Sequence, residues 1–412
     1  MAATRTQTTQ TPRPPACEDE RVTPTSDAQS PLERWLLGLR PVRAVIENAF
    51  RIEDRVRLVR VKLVRKRGYL TVLEPYTGYG TTTWVRALAR VHMAPPGSRR
   101  RFSLSRLLRR KRRESVVRGW RSFARVSAGN VPATVIIDGV RHAVKADRGG
   151  IIDINLPANL APGWNTITFE SFDRQTSTAP VFIVADEQRV GLLSDIDDTV
   201  MVTALPRPML AAWNTFVLDV HARTPTPGMN VLSERILTSF GRSETPVVYL
   251  STGPWNVAPT LARFLGRNLY PAGPLLLTDW GPTPERIFRS GLDHKVSNLD
   301  RLAREFPDIK WILVGDDGQH DEQIYGEFTS RHPDRVLAIA IRQLSTSEAV
   351  LAGGRAASAH WRKNAPVPWV YAPDGAGLAK QLTEAGILPD LTQAPGTTTD
   401  EAPEETVVTP VD

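Results

Sequence analysis

The sequence predicts an α/β protein with a doubly wound parallel sheet and a short cap, preceded by a small β-sandwich and a helical segment. Two observations carry this prediction. Between residues 190 and 371, apolar runs alternate with helical stretches, which is typical of a parallel sheet covered by helices. Between residues 68 and 186, short alternating runs are separated by turn signals, which favours antiparallel strands.

The composition is typical of a globular chain with two to three domains. Of its 412 residues, 41% are hydrophobic and 23% charged, and the net charge of +8 indicates acidic partners. The single cysteine, Cys17, excludes a disulfide framework and fits a reducing cytoplasm. We recognise no signal peptide and no apolar run approaching the ~20 residues of a spanning helix, so any membrane contact is expected to be peripheral.

Two tails and a basic segment flank the predicted domains. Residues 1–30 are rich in Thr, Pro, Gln and Ser, and residues 389–412 are acidic, so both are predicted to be disordered. Residues 31–67 carry apolar side chains at helical spacing, interrupted by Pro41, and are predicted to form a basic helical segment.

The predicted β-sandwich covers residues 68–186. Asp138-Gly139 is a hairpin signal within it, and a basic stretch at about 98–126 interrupts it. Its predicted strands are 69–73, 84–91, 133–137, 151–156, 165–169 and 181–184.

The predicted parallel sheet lies within residues 187–375. Ligands of such sheets bind at the carboxyl ends of the strands, so polar residues that follow apolar runs are candidate site residues. The predicted strands are 190–194, 247–250, 275–277, 311–314 and 336–341, with helices at 257–268 and 296–306 among the connections.

The segment Asp195-Ile-Asp-Asp-Thr199 is the most informative motif. Asp195 and Asp197 follow a strand two residues apart, so their side chains are expected to point the same way. Clustered carboxylates are costly without a cation between them. The motif predicts a Mg²⁺ site with one carboxylate free to attack phosphorus, although taken alone it is also typical of a solvated turn.

Three further polar groups follow in order. Ser251 ends an apolar run and opens a helix, a position suited to phosphate. Lys295 begins another helix and can neutralise phosphate charge. Asp316 and Asp321 follow the strand at 311–314 and add carboxylates to the same edge of the sheet.

Together these motifs resemble those of the haloacid-dehalogenase-like phosphatases. The resemblance implies that Asp195 is the nucleophile and Asp197 the general acid and base. It assigns phosphate binding to Ser251, Thr252 and Lys295. The metal ligands that it implies for Mg²⁺ are Asp195, Asp197, Asp316 and Asp321.

Longer segments narrow the resemblance. Tyr76-Thr-Gly-Tyr-Gly80, Ser-Thr-Gly-Pro-Trp-Asn at 251–256 and Gly-Asp-Asp-Gly-Gln at 315–319 are similar to segments of the actin-patch-associated phosphatidate phosphatases and their bacterial relatives. The similarity covers roughly residues 68–345. It implies Mg²⁺-dependent hydrolysis of phosphatidate to diacylglycerol and phosphate.

Several neighbouring residues have alternative interpretations. Asp198 is expected to cap a helix or to support the metal ligands. Asp317 is an alternative metal ligand to Asp316 and Asp321. Structural roles are the simpler interpretation for five others, although some lie near the expected substrate: Trp255, His294, Gln319, His320 and Tyr325.

Two segments indicate what kind of partner the chain binds: the apolar segment at 201–245 and the basic segment at 98–126. The short cap between 201 and 245 would leave an open cleft suited to a bulky phospholipid at a membrane surface, or would pack on the sheet as an ordinary helix. The arginine-rich run at 98–126 is either a solvated loop, a surface for anionic lipid or, less favoured because no aromatic platform accompanies it, a nucleic-acid site. A phosphatase for a soluble metabolite and a non-catalytic binding module are the alternative functions, and the sequence does not indicate an oligomeric state.

Overall fold

The computed structural model describes residues 61, 63, 66–94, 127–202, 224–278, 291–318, 320–351 and 365–390. Several predictions lie outside these residues. They are the tail at 1–30, nearly all of the helical segment at 31–67, the arginine-rich run at 98–126, residues 203–223 of the cap, and nearly all of the acidic tail at 389–412. All described residues belong to one compact unit that begins at Glu53.

The first domain is a seven-stranded sheet. Its strand order is β4-β3-β6-β7-β1-β2-β5, and the pairs are antiparallel except for β1 with β7. The strands are β1 (Leu70–Thr81), β2 (Trp84–Ala94), β3 (Pro132–Ile137), β4 (Val140–Lys145), β5 (Ile151–Pro157), β6 (Gly163–Ser171) and β7 (Thr176–Val184).

The predicted sandwich is therefore one continuous sheet that encloses a single core. Side chains from β2, β3, β6 and β7 pack in the same cluster, among them the fully buried Val85, Val135, Phe169 and Val181. The register of β1 shifts between Tyr76 and Tyr79, and such an irregularity bends a strand. The 12-residue β1 pairs with β2 along most of its length and with β7 at residues 78–81, so it joins the two halves of the sheet.

The second domain is built on six parallel strands in the order β12-β11-β8-β13-β14-β15. These strands are β8 (Val190–Asp195), β11 (Val247–Pro254), β12 (Leu275–Thr278), β13 (Lys310–Asp316), β14 (Val336–Arg342) and β15 (Trp369–Ala372). A small antiparallel ribbon, β9 (Met201–Val202) with β10 (Thr224–Pro225), follows β8.

Helices lie between the parallel strands and after the last one. They are α1 (Met229–Ser239), α2 (Ala258–Arg267), α3 (Gly291–Glu305), α4 (Asp321–Arg331), α5 (Thr346–Leu351) and α6 (Gly375–Glu384). Among the residues that the structure describes, no helix combines the length and apolar character needed to cross a membrane.

The sheet of the second domain is buried on both faces. Leu192, Leu313 and Ile339 are completely buried within one large core. The core continues into the first domain, because Tyr79, Leu88 and Phe182 belong to the same cluster. The two sheets are therefore joined by apolar packing.

Candidate active site

The central strand β8 and its two neighbours bring three of the predicted polar groups to one edge of the sheet. Asp195 ends β8 and lies in register with Leu250 of β11, so Ser251 follows directly beside it. On the other side, Ser194 is in register with Val314 of β13, which ends at Asp316. Parallel pairing therefore places all three residues at the same end of the sheet, and Ser251 follows the last residue of β11 that pairs with β8.

Lys295 joins this edge from the helix α3. Its Nζ lies 2.5 Å from Oδ1 of Asp195 and 2.5 Å from Oδ1 of Asp321, and the residue is only 5% exposed. Burial disfavours the charged amine, but the two carboxylates outweigh it and raise the pKa of Lys295. The lysine is therefore a permanent positive charge between two acids.

Three carboxylates form a compact cluster. Oxygen atoms of Asp195, Asp316 and Asp321 lie within 4.8 Å of one another, and all three residues are buried. Burial raises the pKa of Asp195 and of Asp316, and neighbouring carboxylates add to the shift although Lys295 opposes it. One lysine does not balance three buried acids, and all-oxygen ligands are those that Mg²⁺ prefers, so the cluster suits a divalent cation.

Asp197, the fourth predicted ligand, has a different partner. The hydroxyl of Ser251 donates to its Oδ2 at 2.8 Å, and the amide of Gly253 donates to the Ser251 hydroxyl at 3.0 Å. Asp197 is thus held beside the end of β11, in contact with the predicted phosphate-binding serine. The carboxylate cluster contains the other three of the four predicted ligands.

Thr252 occupies the next position along β11. Its carbonyl oxygen accepts a hydrogen bond of 2.8 Å from the hydroxyl of Thr278. This bond secures the backbone of the predicted phosphate loop to the neighbouring strand. Thr252 is half-buried, whereas Ser251 is completely buried.

Asp198 forms the turn after the two acids. Its φ is 59°, a left-handed conformation that is uncommon outside glycine, and its amide donates to the carbonyl oxygen of Met201 at 2.8 Å. Nη1 of Arg342 donates to the Asp198 carbonyl at 2.6 Å. These two backbone bonds of Asp198 therefore shape the turn that follows the motif.

The two candidates Asp316 and Asp317 have separate partners. Oδ1 of Asp316 accepts the Gly318 amide at 2.7 Å, and its Oδ2 lies 3.4 Å from the hydroxyl of Thr199. Oδ1 of Asp317 instead accepts the amide of Leu344 at 2.8 Å, which ties the end of β13 to the chain after β14. Asp316 is the member of the pair that faces the cluster.

Local packing accounts for most of the other residues considered. Tyr325 is completely buried and donates to the Val314 carbonyl at 3.0 Å. Trp255 is buried against Tyr76, and His294 is half-buried against Asn298. His320 is exposed at the start of α4, while Gln319 lies outside the described residues.

Two residues that support the site were not predicted. Arg342 ends β14, and besides Asp198 it binds Glu348 at 2.8 Å. Gly315 leaves room for the acids, because a Cβ at this position would lie 2.7 Å from Oδ2 of Asp321. Two features of the sequence could have indicated these roles. Arg342 is a lone arginine at the end of an apolar strand, and Gly315 directly precedes two aspartates.

Known proteins resemble the part of the chain that contains this site. Residues 190–343 match the family described as phosphatidate phosphatase APP1, catalytic domain. Phosphatidate phosphatase APP1 of Saccharomyces cerevisiae is 30% identical over 160 residues, which is 38% of this chain and 26% of the yeast protein. An uncharacterized protein of Schizosaccharomyces pombe is 29% identical over 165 residues, 39% of this chain and 26% of that protein. The chain thus matches about a quarter of the length of either relative.

A solved structure was also found by similarity of shape. A carbohydrate acetylesterase from Xanthomonas citri aligns with 78% of this chain and 67% of its own, at 12% identity and a TM-score of 0.24. A score this low supports no inference. The predicted resemblance to the phosphatidate phosphatases is confirmed for residues 190–343, whereas its predicted extension over the first domain stays a prediction.

Proposed function

We propose that the chain is a Mg²⁺-dependent phosphomonoester phosphatase of the haloacid-dehalogenase-like type, and that its substrate is phosphatidate. The observation that carries this proposal is the buried assembly of Asp195, Lys295, Asp316 and Asp321 beside the hydrogen-bonded pair Asp197 and Ser251. It combines a candidate nucleophile, a cation, a metal-ligand set and a proton donor at one sheet edge.

Asp195 is the proposed nucleophile. One of its carboxylate oxygens attacks phosphorus, the bond from phosphorus to the ester oxygen breaks, and an aspartyl-phosphate forms. Lys295, 2.5 Å from Asp195, lies where it can neutralise charge on the nucleophile and on the incoming phosphoryl oxygens. Ser251 and Thr252 are the proposed binding groups for the same oxygens.

Asp197 is the proposed general acid and base. It gives a proton to the departing alkoxide oxygen, and in the second step it accepts a proton from the water that attacks phosphorus. That attack releases inorganic phosphate and restores the Asp195 carboxylate. The hydrogen bond from Ser251 holds Oδ2 of Asp197 in place, which fixes the direction of the carboxyl group.

The proposed metal ligands are Asp195, Asp316 and Asp321, with Asp197 as the fourth. A bound Mg²⁺ would neutralise the repulsion between carboxylates and phosphate and would orient the phosphoryl group. Thr199 and the Gly318 amide hold Asp316, so this ligand is fixed before a cation arrives.

The proposed substrate and location follow from the relatives and the basic charge. The resemblance to a phosphatidate phosphatase catalytic domain favours a phospholipid at a membrane surface. The arginine-rich run at 98–126 would hold anionic lipid, with about 1 kcal/mol from each basic residue near a charged surface. We accordingly propose a cytoplasmic protein that binds membranes peripherally and has no nucleic-acid partner.

The test is phosphate release from phosphatidate vesicles with and without Mg²⁺. We expect release that requires Mg²⁺, that Asp195→Asn abolishes while the circular dichroism spectrum is retained, and that Asp308→Asn leaves unchanged. Asp308 is an exposed carboxylate two residues before the start of β13, at the end of the strand away from the site. Its replacement therefore controls for the loss of one acidic group. Full activity of Asp195→Asn would reject Asp195 as the nucleophile.

A substrate panel separates the lipid from other phosphomonoesters. Vesicles of phosphatidate are compared with soluble monoesters at equal phosphate concentration. Turnover of soluble esters that equals or exceeds that of vesicles would reject phosphatidate but retain the phosphatase. Vesicle binding without any phosphate release in Mg²⁺ would reject both in favour of a binding module.

A further inference from the structure

The helix that carries Lys295 also carries a row of polar side chains that reaches the seven-stranded sheet domain. Asn298, Arg301 and Glu305 follow one another at intervals of three and four residues along α3, so they share one helix face. Lys295 lies near the beginning of the same helix. Contacts on this face therefore affect the position of the lysine.

Four charged residues of alternating sign form the contact. Arg86 of β2 donates from Nε to Glu305 at 2.9 Å, with a second bond from its Nη2 to the same oxygen. Arg86 also binds Oδ1 of Asp153 at 2.6 Å, and Arg301 binds Oδ2 of Asp153 at 2.8 Å. Two residues of the sheet domain are thus interleaved with two residues of α3.

The network is partly shielded from water and well supplied with hydrogen bonds. The four side chains are between 11% and 31% exposed. Although burial opposes ionisation, Arg301 and Arg86 together lower the pKa of Asp153. The hydroxyl of Tyr79 in β1 donates to the second oxygen of Glu305 at 2.8 Å. Partly buried, multiply bonded ion pairs are far more rigid than pairs on an open surface.

Hydrogen bonds continue along the helix toward the lysine. Nη2 of Arg301 donates to Oδ1 of Asn298 at 2.5 Å. Nδ2 of Asn298 donates to the carbonyl oxygen of His294 at 2.8 Å, and His294 directly precedes Lys295. The row therefore runs without interruption from Asp153 to the backbone beside Lys295.

The sheet domain also contacts the turn after the proposed phosphate loop. The ring of Tyr76 stacks on Trp255 with a centroid distance of 4.9 Å and an angle of 19°. Its hydroxyl donates to the Trp255 carbonyl at 3.2 Å. Trp255 begins the short turn that follows β11, four residues after Ser251.

We propose that the seven-stranded sheet domain positions the phosphate-binding groups of the neighbouring domain, with Arg86 and Asp153 as the positioning residues for Lys295. This inference rests on the proposed function, because it assigns the contact a role in phosphoryl transfer. Lys295 must keep its Nζ between Asp195 and Asp321, and displacements of about 1 Å at such groups can cost about a hundredfold in rate. A helix held at one face by a rigid network maintains that position.

The first test is Asp153→Asn in the full chain. The carboxamide keeps the shape of the side chain but removes the charge between Arg86 and Arg301, which then face each other as like charges. We expect kcat on phosphatidate vesicles to fall by about tenfold or more. Glu170→Gln is the matched control, because Glu170 of β6 pairs with Arg141 of β4 within the same sheet; its kcat should remain unchanged.

Thermal unfolding separates positioning from stability alone. One outcome is that Asp153→Asn lowers the melting temperature and still shows the wild-type kcat when it is assayed well below its melting temperature. In that case the network only stabilises the fold, and the proposal is overturned. If Asp153→Asn does not fold, Tyr79→Phe removes just the hydroxyl bonded to Glu305 and should lower kcat by a smaller factor.

A crystal structure of Asp153→Asn distinguishes failure of this inference from failure of the proposed function. Displacement of Lys295 Nζ from Asp195 and Asp321 supports positioning even if the wild-type chain proves inactive on every ester tested. An unmoved Lys295 overturns positioning even if the wild-type chain is an active phosphatase.

Discussion

Gly315→Ala tests whether the acid cluster depends on the space beside it. Gly315 precedes Asp316 in β13, and its backbone is not in the left-handed region, so alanine adds no backbone strain. The added Cβ would lie 2.7 Å from Oδ2 of Asp321 and 2.7 Å from Cε2 of Tyr325. Asp321 is held by Lys295 and Tyr325 is completely buried, so neither can move freely.

The expected magnitude follows from these distances. The clashing atoms must separate by about 0.7 Å to reach the ordinary contact distance of 3.4 Å. Overpacking of this kind costs about 1–3 kcal/mol of folding free energy. A shift of that size at Asp321 is expected to reduce kcat by about tenfold to a hundredfold and to raise the Mg²⁺ concentration needed for half-maximal activity.

The assay is phosphate release titrated with Mg²⁺, together with urea unfolding. Gly266→Ala is the control: Gly266 is exposed in α2, and no heavy atom lies within 4 Å of an added Cβ. This variant should be as active as the wild type and more stable by about 0.5–1 kcal/mol. Wild-type turnover and an unchanged Mg²⁺ requirement in Gly315→Ala would refute the packing argument.

Three further outcomes are expected. Lys295→Met leaves two acids without their cation, so we expect undetectable phosphate release. The free energy of unfolding, measured in urea without Mg²⁺, should fall by about 3–5 kcal/mol, and an unchanged unfolding midpoint would contradict this. Ser251→Ala removes the donor to Asp197, and we expect kcat/KM to fall by a factor corresponding to about 1.5–3 kcal/mol. The control is Ser239→Ala, which loses only a bond to the Arg235 carbonyl and should match the wild type. Because the folded-state pKa values of Asp195 and Asp316 are raised above 3.8, the metal-free native state binds more protons than the unfolded chain, and its stability falls as pH rises above that value. Mg²⁺ replaces those protons, so the Mg²⁺-induced rise in melting temperature should be larger at about pH 8 than at about pH 5; a rise that is larger at the acidic pH would refute this sign.

The buried strands could be predicted from the sequence because parallel strands covered on both faces are apolar throughout. Strands are present at all five predicted positions of the second domain, including β8 and β13. The strand β4 was not predicted, since only one of its six residues is buried and it has no alternating pattern. The helix α4 was not predicted either, because its buried residues include Asp321, Glu322 and Gly326 and so do not form an apolar stripe.

The single sheet of the first domain could not be predicted from local patterns. Alternation shows which residues face inward, but it does not show whether two halves of a domain share hydrogen bonds. The deciding feature is the parallel pairing of β1 with β7, two strands that are far apart in the chain. The haloacid-dehalogenase-like classification of the second domain stays a prediction.

Site residues at strand ends were predictable for a simple geometric reason. Asp195, Ser251 and Asp316 follow apolar runs, and parallel strands collect such residues at one edge. The choice between Asp316 and Asp317 did not follow from this geometry: it rested on the family resemblance, and the structure places Asp316 in the carboxylate cluster. The contribution of Arg342 could not be predicted, since it acts through a backbone carbonyl that only the folded turn at Asp198 presents. The catalytic and binding roles of these residues stay predictions.

The order of the strands has a consequence for synthesis of the protein. The strand β8 lies between β11 and β13, yet Thr199 and its partner Asp316 are 117 positions apart along the chain. A ribosome that adds about 5–20 residues per second needs about 6–23 s to cover that distance. During this interval β8 has an edge with no partner, and a nascent chain in that state is a substrate for chaperones. The acid cluster therefore assembles late, and a chain truncated before β13 carries Asp195, the proposed nucleophile, without Lys295's second partner Asp321 and without Asp316.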